Sequence, residues 1–188
     1  VQRMSSGERR RVSARAGING APAWSPDGRR LALTLSRDGN LDIYTLELAT
    51  QSLSRVTSDD AIDTEPEWSR DGQSLYFTSD RAGNAQIYRV ALDGSRKADR
   101  VTFTNGYNAR PRLSPDGKEL AMVTLDRGGY RIAVMDLGTR NLRILTNASQ
   151  DESPSFAPNG ALLIYATRER SRGSLAIVSP MMSTMAWR

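Results

Sequence analysis

Pro22-Ala23-Trp24-Ser25-Pro26-Asp27-Gly28 is the first of four copies of one heptapeptide pattern in the chain. The first prolines of successive copies lie about 44 residues apart. In a Ser-Pro-Asp-Gly turn, proline fixes φ, aspartate tolerates the bridge conformation and glycine permits the tight reversal. Each copy therefore predicts a turn between two strands. The other copies are Pro66-Glu67-Trp68-Ser69-Arg70-Asp71-Gly72, Pro111-Arg112-Leu113-Ser114-Pro115-Asp116-Gly117 and Pro154-Ser155-Phe156-Ala157-Pro158-Asn159-Gly160.

Apolar runs of strand length surround each turn. The runs 42–48 and 86–92 are rich in β-branched and aromatic residues, and short runs such as 54–57 supply a fourth strand in each of the first three repeats. Four strands in a repeat of 40 to 45 residues are typical of a β-propeller blade. The sequence therefore predicts an all-β fold, a β-propeller built of four-stranded antiparallel blades, with about four blades in this chain.

The repeats also set the boundaries within the chain. Residues 1–188 are interpreted as one propeller fragment, with repeats starting near Pro22, Pro66, Pro111 and Pro154. Residues 10–13 match the outer strand of a preceding blade, and the fourth repeat stops after its third strand. A closed ring of four blades could use residues 10–13 as that missing strand. Residues 180–188 break the pattern and are interpreted as an aberrant or truncated terminus.

Composition excludes several kinds of function. The chain contains no His and no Cys, which removes His-based triads, thiol nucleophiles, disulfides and the usual zinc and haem sites. No apolar run approaches the roughly 20 residues that span a bilayer. Most of the net charge of +5 comes from arginines in residues 1–15, so the rest of the chain has no basic stripe for nucleic acid. We expect no cofactor, metal, nucleic acid or membrane insertion.

Loops that enter the innermost strands of a propeller meet at one axial end, so the residues before the four prolines are candidate binding residues. Three positions ahead of each proline stands an amide or a carboxylate, which either forms an Asx turn or contributes to a ring of oxygen acceptors around the axis. These residues are Asn19, Asp63, Asn108 and Asp151.

One position before each proline, the repeats differ: the residues are Ala21, Glu65, Arg110 and Ser153. Positions that are alike in every repeat suit structure, and positions that differ suit recognition. Glu65 and Glu152 form an acidic sector that Arg110 opposes from another blade. Such carboxylates could also hold calcium or act as a glycosidase acid pair, but no continuous calcium loop is present and sequence gives no carboxylate separation.

One large apolar residue recurs two positions after each of these prolines. A side chain at an equivalent position of every repeat normally serves the common core, so we expect it to pack between blades rather than to bind a ligand. These residues are Trp24, Trp68, Leu113 and Phe156.

Several longer runs resemble the propeller of the TolB family, the periplasmic component of the Tol-Pal envelope system of Gram-negative bacteria. The resemblance extends from about Ser6 to Ser179. The runs that carry it are Asn19 to Gly28, Thr64 to Trp68 with Phe77 to Gly83, and Asp151 to Gly160.

The resemblance implies a six-bladed propeller preceded by a smaller α/β domain that is absent from this chain and that contacts other Tol proteins. It also implies a non-catalytic periplasmic protein that binds the lipoprotein Pal at the propeller mouth, supports outer-membrane integrity and invagination during division, and is exploited by colicins. In this sequence, the loops 19–21 and 63–65 match the stretches that meet Pal. The expected protein-binding residues are Asn19, Gly20, Ala21, Asp63, Thr64, Glu65, Asn108, Arg110, Asp151 and Glu152.

The main alternative is the gating propeller of a prolyl-oligopeptidase-like serine peptidase, whose blades share the Ser-Pro-Asp-Gly repeat. The catalytic residues would then belong to a hydrolase domain outside this chain. The sequence has no Gly-x-Ser-x-Gly elbow, since Gly72-Gln73-Ser74-Leu75-Tyr76 fails at its last position. A carbohydrate-binding or carbohydrate-hydrolysing propeller would need axial aromatic residues, and only Tyr107 lies near a proline loop.

Overall fold

The computed structural model describes residues 1–169 and 172–181, with the backbone alone for Glu169. The described residues form fifteen strands and no helix. Blade 1 contains β1 (Asn19–Trp24), β2 (Arg30–Leu35), β3 (Asp42–Glu47) and β4 (Leu53–Arg55). Blade 2 contains β5 (Asp63–Trp68), β6 (Ser74–Ser79), β7 (Gln86–Ala91) and β8 (Ala98–Arg100). Blade 3 contains β9 (Asn108–Leu113), β10 (Glu119–Asp126), β11 (Gly129–Asp136) and β12 (Leu142–Ile144), and blade 4 contains β13 (Asp151–Phe156), β14 (Leu163–Glu169) and β15 (Arg172–Val178).

The predicted fold class is confirmed. Each blade is an antiparallel meander in sequence order, with four strands in blades 1 to 3 and three strands in blade 4. The first strands β1, β5, β9 and β13 contact one another in succession and are the innermost strands of the blades. The starts of these strands define one end of the axis, the axial mouth, and the Ser-Pro-Asp-Gly turns define the other, the turn end.

Residues 10–13 do not form the expected outer strand. The backbone N–H of Arg10 donates to the carbonyl of Val1, the Arg10 side chain donates to the carbonyl of Leu48, and Val12 packs against the apolar face of blade 1. An outer strand needs the third strand of its own blade as a partner, and β15 pairs only with β14 among the described strands. Residues 10–13 therefore do not close a four-bladed ring. Residues 182–188 of the expected aberrant terminus lie outside the described residues.

The heptapeptide turns are held by a serine and an aspartate side chain. The Ser69 hydroxyl donates to Asp71 Oδ1 at 2.5 Å and accepts the backbone N–H of Ser74 at 2.9 Å. Asp71 also accepts the N–H of Gln73, and Gly72 has a φ of 67° that disfavours other residues. The Ser69 hydrogen bond is the main cause that lowers the pKa of Asp71 below its ordinary value of 3.8.

This lowered pKa predicts a pH-dependent effect of Ser69→Ala. A carboxyl group with a depressed folded-state pKa contributes stability above its unfolded pKa and loses it as pH falls through the folded pKa. The variant should therefore be most destabilised at about pH 6 and less so below about pH 3, as measured by urea denaturation. In an Asp71→Asn background the effect of Ser69→Ala should not change with pH; a constant effect in both backgrounds would contradict the assigned hydrogen bond.

The core lies between successive blades. Trp68 of β5 is 2% exposed and packs with Ala32, Ile43 and Val56 of blade 1 and with the apolar residues of its own blade. Its indole N–H donates to the carbonyl of Ala23 at 3.1 Å. Burial of the large residue between blades is thus confirmed for Trp68 and Leu113, whereas Phe156 is half-buried. The expectation is wrong for Trp24, which is 53% exposed because no preceding blade covers it among the described residues.

This difference predicts unequal effects of two matched substitutions. Trp68→Ala should reduce the free energy of unfolding by about 3 to 5 kcal/mol, because it leaves a cavity between blades and an unpaired carbonyl. Trp24→Ala should reduce it by about 1 kcal/mol or less, since the side chain is half in water. Chemical denaturation of both variants measures the difference. Equal stabilities would refute the packing role of Trp68.

One face of blade 4 is not covered by any of the described residues. On it, Leu175, Ile177 and Ile164 are 73%, 63% and 41% exposed. The residues of blades 1 to 3 that correspond to Leu175 are 0% exposed, because each packs against the following blade. These residues are Ile43, Ile87 and Ile132. This face of blade 4 therefore has the composition of a blade interface but no covering blade among the described residues.

Candidate binding site at the axial mouth

Every innermost strand turns to positive φ one residue before its proline. The φ angles are 45° at Ala21, 56° at Glu65, 57° at Arg110 and 55° at Ser153. The pairing with the second strand shifts register at this place in every blade, which marks a β-bulge. A left-handed conformation is unfavourable for a residue with a side chain and also for a residue before proline. A bulge re-aims side chains, so the four variable residues are presented differently from ordinary strand positions.

Arg110 joins two carboxylates from the neighbouring blades. Its Nε lies 3.0 Å from Glu65 Oε1 in blade 2, and its Nη1 lies 2.6 Å from Glu152 Oε2 in blade 4. Nη1 also donates to the Ser153 hydroxyl at 3.0 Å. We call Glu65, Arg110 and Glu152 the mouth bracket. The sequence placed Arg110 opposite an acidic sector; in the structure it lies between Glu65 and Glu152 and forms an ion pair with each.

Threonines of the second strands hold the bulged backbone across the junctions between blades 1 and 2 and between blades 2 and 3. The N–H of Glu65 donates to Thr34 Oγ1 at 3.2 Å, and the N–H of Arg110 donates to Thr78 Oγ1 at 3.0 Å. The Thr78 hydroxyl donates in turn to Glu65 Oε2 at 3.0 Å. Thr64 is close enough to Thr34 for a hydrogen bond between hydroxyls, at 3.4 Å. The bracket is therefore fixed by backbone and side-chain contacts together.

Burial and charge act in opposite directions at Arg110. Burial favours the neutral guanidine, but the hydrogen bond to Glu152 and the charges of Glu65 and Glu152 outweigh it and raise the pKa of Arg110 above its ordinary value. Tyr107 lies beside this group: burial first, and then the charge of Glu65, raises the pKa of its hydroxyl. The Tyr107 ring meets Tyr130 edge to face, with centroids 5.2 Å apart. The bracket thus has an aromatic neighbour and one net negative charge.

Asp63 is not an open acceptor at the axis, as a ring of oxygen acceptors would require. Its side chain is fully buried, and Arg81 Nη2 donates to both carboxylate oxygens at 2.9 and 2.8 Å. Arg81 lies over the Tyr88 ring at 4.9 Å, and the neighbouring Asp80 accepts the N–H of Ile62 at 2.8 Å. Asp63 therefore fastens the start of β5 to the loop after β6.

The other three residues at that repeat position also differ from open acceptors. Asn108 and Asp151 are buried, and Asn19 is exposed but hydrogen-bonded within its own loop. The Asn19 amide donates to the carbonyls of Arg15 and Gly17, and Asn108 donates to Thr104 and Gln86. Both asparagines thus bond to backbone that precedes them in the chain, which differs from an Asx turn. Asp151 is fully buried, and its two carboxylate oxygens have no hydrogen-bond partner in the part of the chain that the structure describes. Gly20 and Ala21 are half-buried at the corresponding bulge of blade 1.

A second layer of charged residues lies beneath the bracket. Glu67 and Arg112, two positions further along β5 and β9, repeat the residue types of Glu65 and Arg110, and their closest charged atoms are 4.0 Å apart. This pair was not predicted from the sequence. A comparison of the residues that follow the four prolines would have revealed it, since these residues are Ala23, Glu67, Arg112 and Ser155. The stabilising threonines Thr34 and Thr78 were also missed, because an isolated threonine in a strand is not distinctive.

Comparison with known proteins identifies the family. The family model of the TolB beta propeller domain matches residues 1–184. The Tol-Pal system protein TolB of Ruthia magnifica subsp. Calyptogena magnifica is 51% identical over 163 residues, which are 87% of this chain and 38% of that protein. The chain belongs to the TolB beta propeller family. The crystal structure of TolB from Acinetobacter baumannii is 46% identical, has a TM-score of 0.89, and is matched over 95% of this chain and 45% of its own.

The suspected TolB resemblance is therefore confirmed, and the chain spans less than half of these two TolB proteins. A puromycin hydrolase structure is also similar, with a TM-score of 0.73 and 15% identity over 93% of this chain and 29% of that chain. At this identity the likeness shows the fold alone. Residues 1–169 and 172–181 of this TolB-family chain contain no helix able to span a membrane and no cluster of three acidic side chains fit for a metal.

The bracket predicts unequal couplings within this TolB-family propeller. A double-mutant cycle with Glu65→Gln and Arg110→Gln should give a coupling energy of about 1 to 2 kcal/mol, because the Glu65 side chain is 24% exposed. The cycle with Glu152→Gln should give about 0.5 kcal/mol or less, because the Glu152 side chain is 53% exposed. Urea denaturation of the single and double variants measures both. The reverse order would contradict the assigned geometry.

Proposed function

We propose that this chain is a non-catalytic, protein-binding propeller of the Tol-Pal system that docks Pal at its axial mouth in the periplasm. In this role it supports outer-membrane integrity and invagination during cell division. Colicins that reach the same mouth are candidate competing ligands, and other Tol proteins would contact a domain outside this chain. The similarity to proteins named Tol-Pal system protein TolB, at 51% identity over most of the chain, supports the assignment to this system.

The mouth bracket is the observation that carries the proposed docking site. Its residues stand at repeat positions that vary between blades. Glu65 and Arg110 have an unfavourable positive φ, Glu152 directly precedes Ser153, which also has one, and such strain is concentrated at functional sites. Glu152 is more than half exposed and Arg110 is one-third exposed, so a partner can reach both. The excess negative charge favours a basic or hydrogen-bond-donating group of the partner, and Tyr107 and Tyr130 offer aromatic contact area.

The expected site residues have different parts in this proposal. Glu65, Arg110 and Glu152 offer charged groups at the mouth, with Asn19, Gly20, Ala21 and Thr64 at or beside the bulges of blades 1 and 2. Asp63 and Asn108 are buried and act by positioning the loops. We include Asp151 with these positioning residues, because it starts β13 next to Glu152. Catalysis is not part of the proposal, since the chain lacks both His and Cys.

Calorimetric titration of the soluble domain of Pal into this chain tests the proposal. We expect saturable binding, and we expect Glu152→Lys to weaken it at least tenfold, which corresponds to about 1.4 kcal/mol. The matched control is Asp99→Lys, since the Asp99 side chain is 74% exposed and lies on the outer strand β8, away from the mouth.

Two results would contradict the proposal. Absence of heat with a sample that circular dichroism shows to be folded would remove Pal as a ligand of these four blades. Equal weakening by Glu152→Lys and Asp99→Lys would instead show a general charge effect and would remove the bracket from the site.

A further inference from the structure

A cavity of about 460 Å³ lies at the turn end, on the side of the bracket opposite the mouth. Three successive blades contribute to it through the ends of β5, β9 and β13 and through the turns that follow them. We call it the turn-end pocket. Its polar wall consists of Glu67, Arg70, Arg112 and Ser155, and its apolar wall includes Leu113, Pro115, Phe156, Ala157 and Pro158. Its volume is within the range of small-molecule sites.

Arg70 interrupts the repeat at this pocket. The other turns have Pro26, Pro115 and Pro158 at the corresponding position. The Arg70 side chain crosses to blade 3, where Nε donates to the carbonyl of Ser114 at 2.8 Å and Nη2 donates to the carbonyl of Leu113. It packs so closely on Gly117 that a Cβ there would approach Arg70 Cγ to 3.1 Å. Backbone contacts thus fix a guanidinium at the edge of the pocket.

Arg112 retains donors that can face a ligand. Among the described residues, its side chain donates one hydrogen bond, to the carbonyl of Pro111 at 2.7 Å. Its distance of 4.0 Å from Glu67 Oε2 is an ion pair without a hydrogen bond. A guanidinium has five N–H donors in a fork that matches the two oxygens of a carboxylate. Arg112 is 39% exposed at the side chain, so the fork is accessible.

Glu67 limits the charge and shape of the ligand. Its Oε1 accepts the N–H of Leu113 at a long 3.4 Å, and its side chain is 17% exposed. Two guanidiniums and one carboxylate give the pocket a single excess positive charge, which matches a monoanion better than a dianion. Burial also raises the pKa of Glu67. A ligand N–H directed at Glu67 would therefore satisfy a poorly paired, largely buried acceptor.

We propose that the turn-end pocket binds an N-acylated amino acid with an apolar side chain and a free α-carboxylate, as a small molecule or as the carboxyl terminus of a peptide. The carboxylate pairs with Arg112, the amide N–H donates to Glu67, and the side chain packs on Phe156 and Pro158. The two sources share this chemistry, and the pocket is separate from the mouth bracket. The proposed ligand of the turn-end pocket can therefore be tested independently of Pal docking.

Titrations followed by NMR test the assignment with N-acetyl-leucine and its neutral analogue N-acetyl-leucinamide. N-acetyl-leucine should shift the backbone amides of residues 112–113 and 155–157 with saturation, and the analogue should bind at least about tenfold more weakly. Arg112→Gln should reduce the affinity for N-acetyl-leucine at least tenfold. The matched control is Arg29→Gln, because Arg29 is an exposed turn arginine of blade 1 outside the pocket.

A second variant and a second probe pair complete the test. Ser155→Trp should block binding sterically, because Ser155 is exposed and lines the pocket, so the fold need not be disturbed. The second probe pair is Ala-Ala-Leu with a free carboxylate and its carboxamide. If the free tripeptide binds more tightly than N-acetyl-leucine, the ligand is a peptide carboxyl terminus; if it binds more weakly, the ligand is a small acid. Equal binding of acids and amides, unchanged affinity of Arg112→Gln, or no saturable shift in the folded chain would each overturn the assignment.

Discussion

Each innermost strand is forced out of regular β-geometry immediately before its proline, and the arrangement of charges at the axis depends on this constraint. A regular strand would alternate its side chains between the two faces of the blade. The bulges instead present Glu65 and Arg110 where they meet across a blade junction. The unfavourable backbone of β5 and β9 is held by Thr34 and Thr78 of the preceding blades, so these two junctions stabilise the conformation of the strand that follows. Packing between blades and the geometry of the mouth are therefore coupled.

The second charged layer shows that the same two residue types are arranged differently at the two ends of the axis. Glu65 and Arg110 form a close pair at the mouth, whereas Glu67 and Arg112 are held apart at the turn end. At the turn end, Arg70 takes the place of a turn proline and donates to the carbonyls of Leu113 and Ser114. Identical residue types thus give a closed ion pair at one level and an open polar pocket at the other.

Much of the fold follows from the periodic pattern, because every blade needs the same turn and the same large residue at its junction. The pattern predicted the four blades and the three strands of blade 4, and it placed Arg110 on a different blade from the acidic residues, but not between them. It did not reveal the partner of Asp63: the sequence left open an Asx turn or an acceptor at the axis, whereas the buried carboxylate pairs with Arg81, which lies 18 residues later in the chain. Residues 10–13 resembled an outer strand locally, yet strand formation requires a partner that no local pattern reveals.

Each blade of this fold presents the same kind of apolar surface to the blade that follows it. Leu175 repeats the residue class that Ile43 and Ile132 present to the following blades, so the junction chemistry is the same from one blade to the next. An in-frame duplication of about one repeat would supply a new blade together with a surface that already fits its neighbour. Blade number in this architecture can therefore change by recombination between repeats, while the residues before each proline vary without altering the junction.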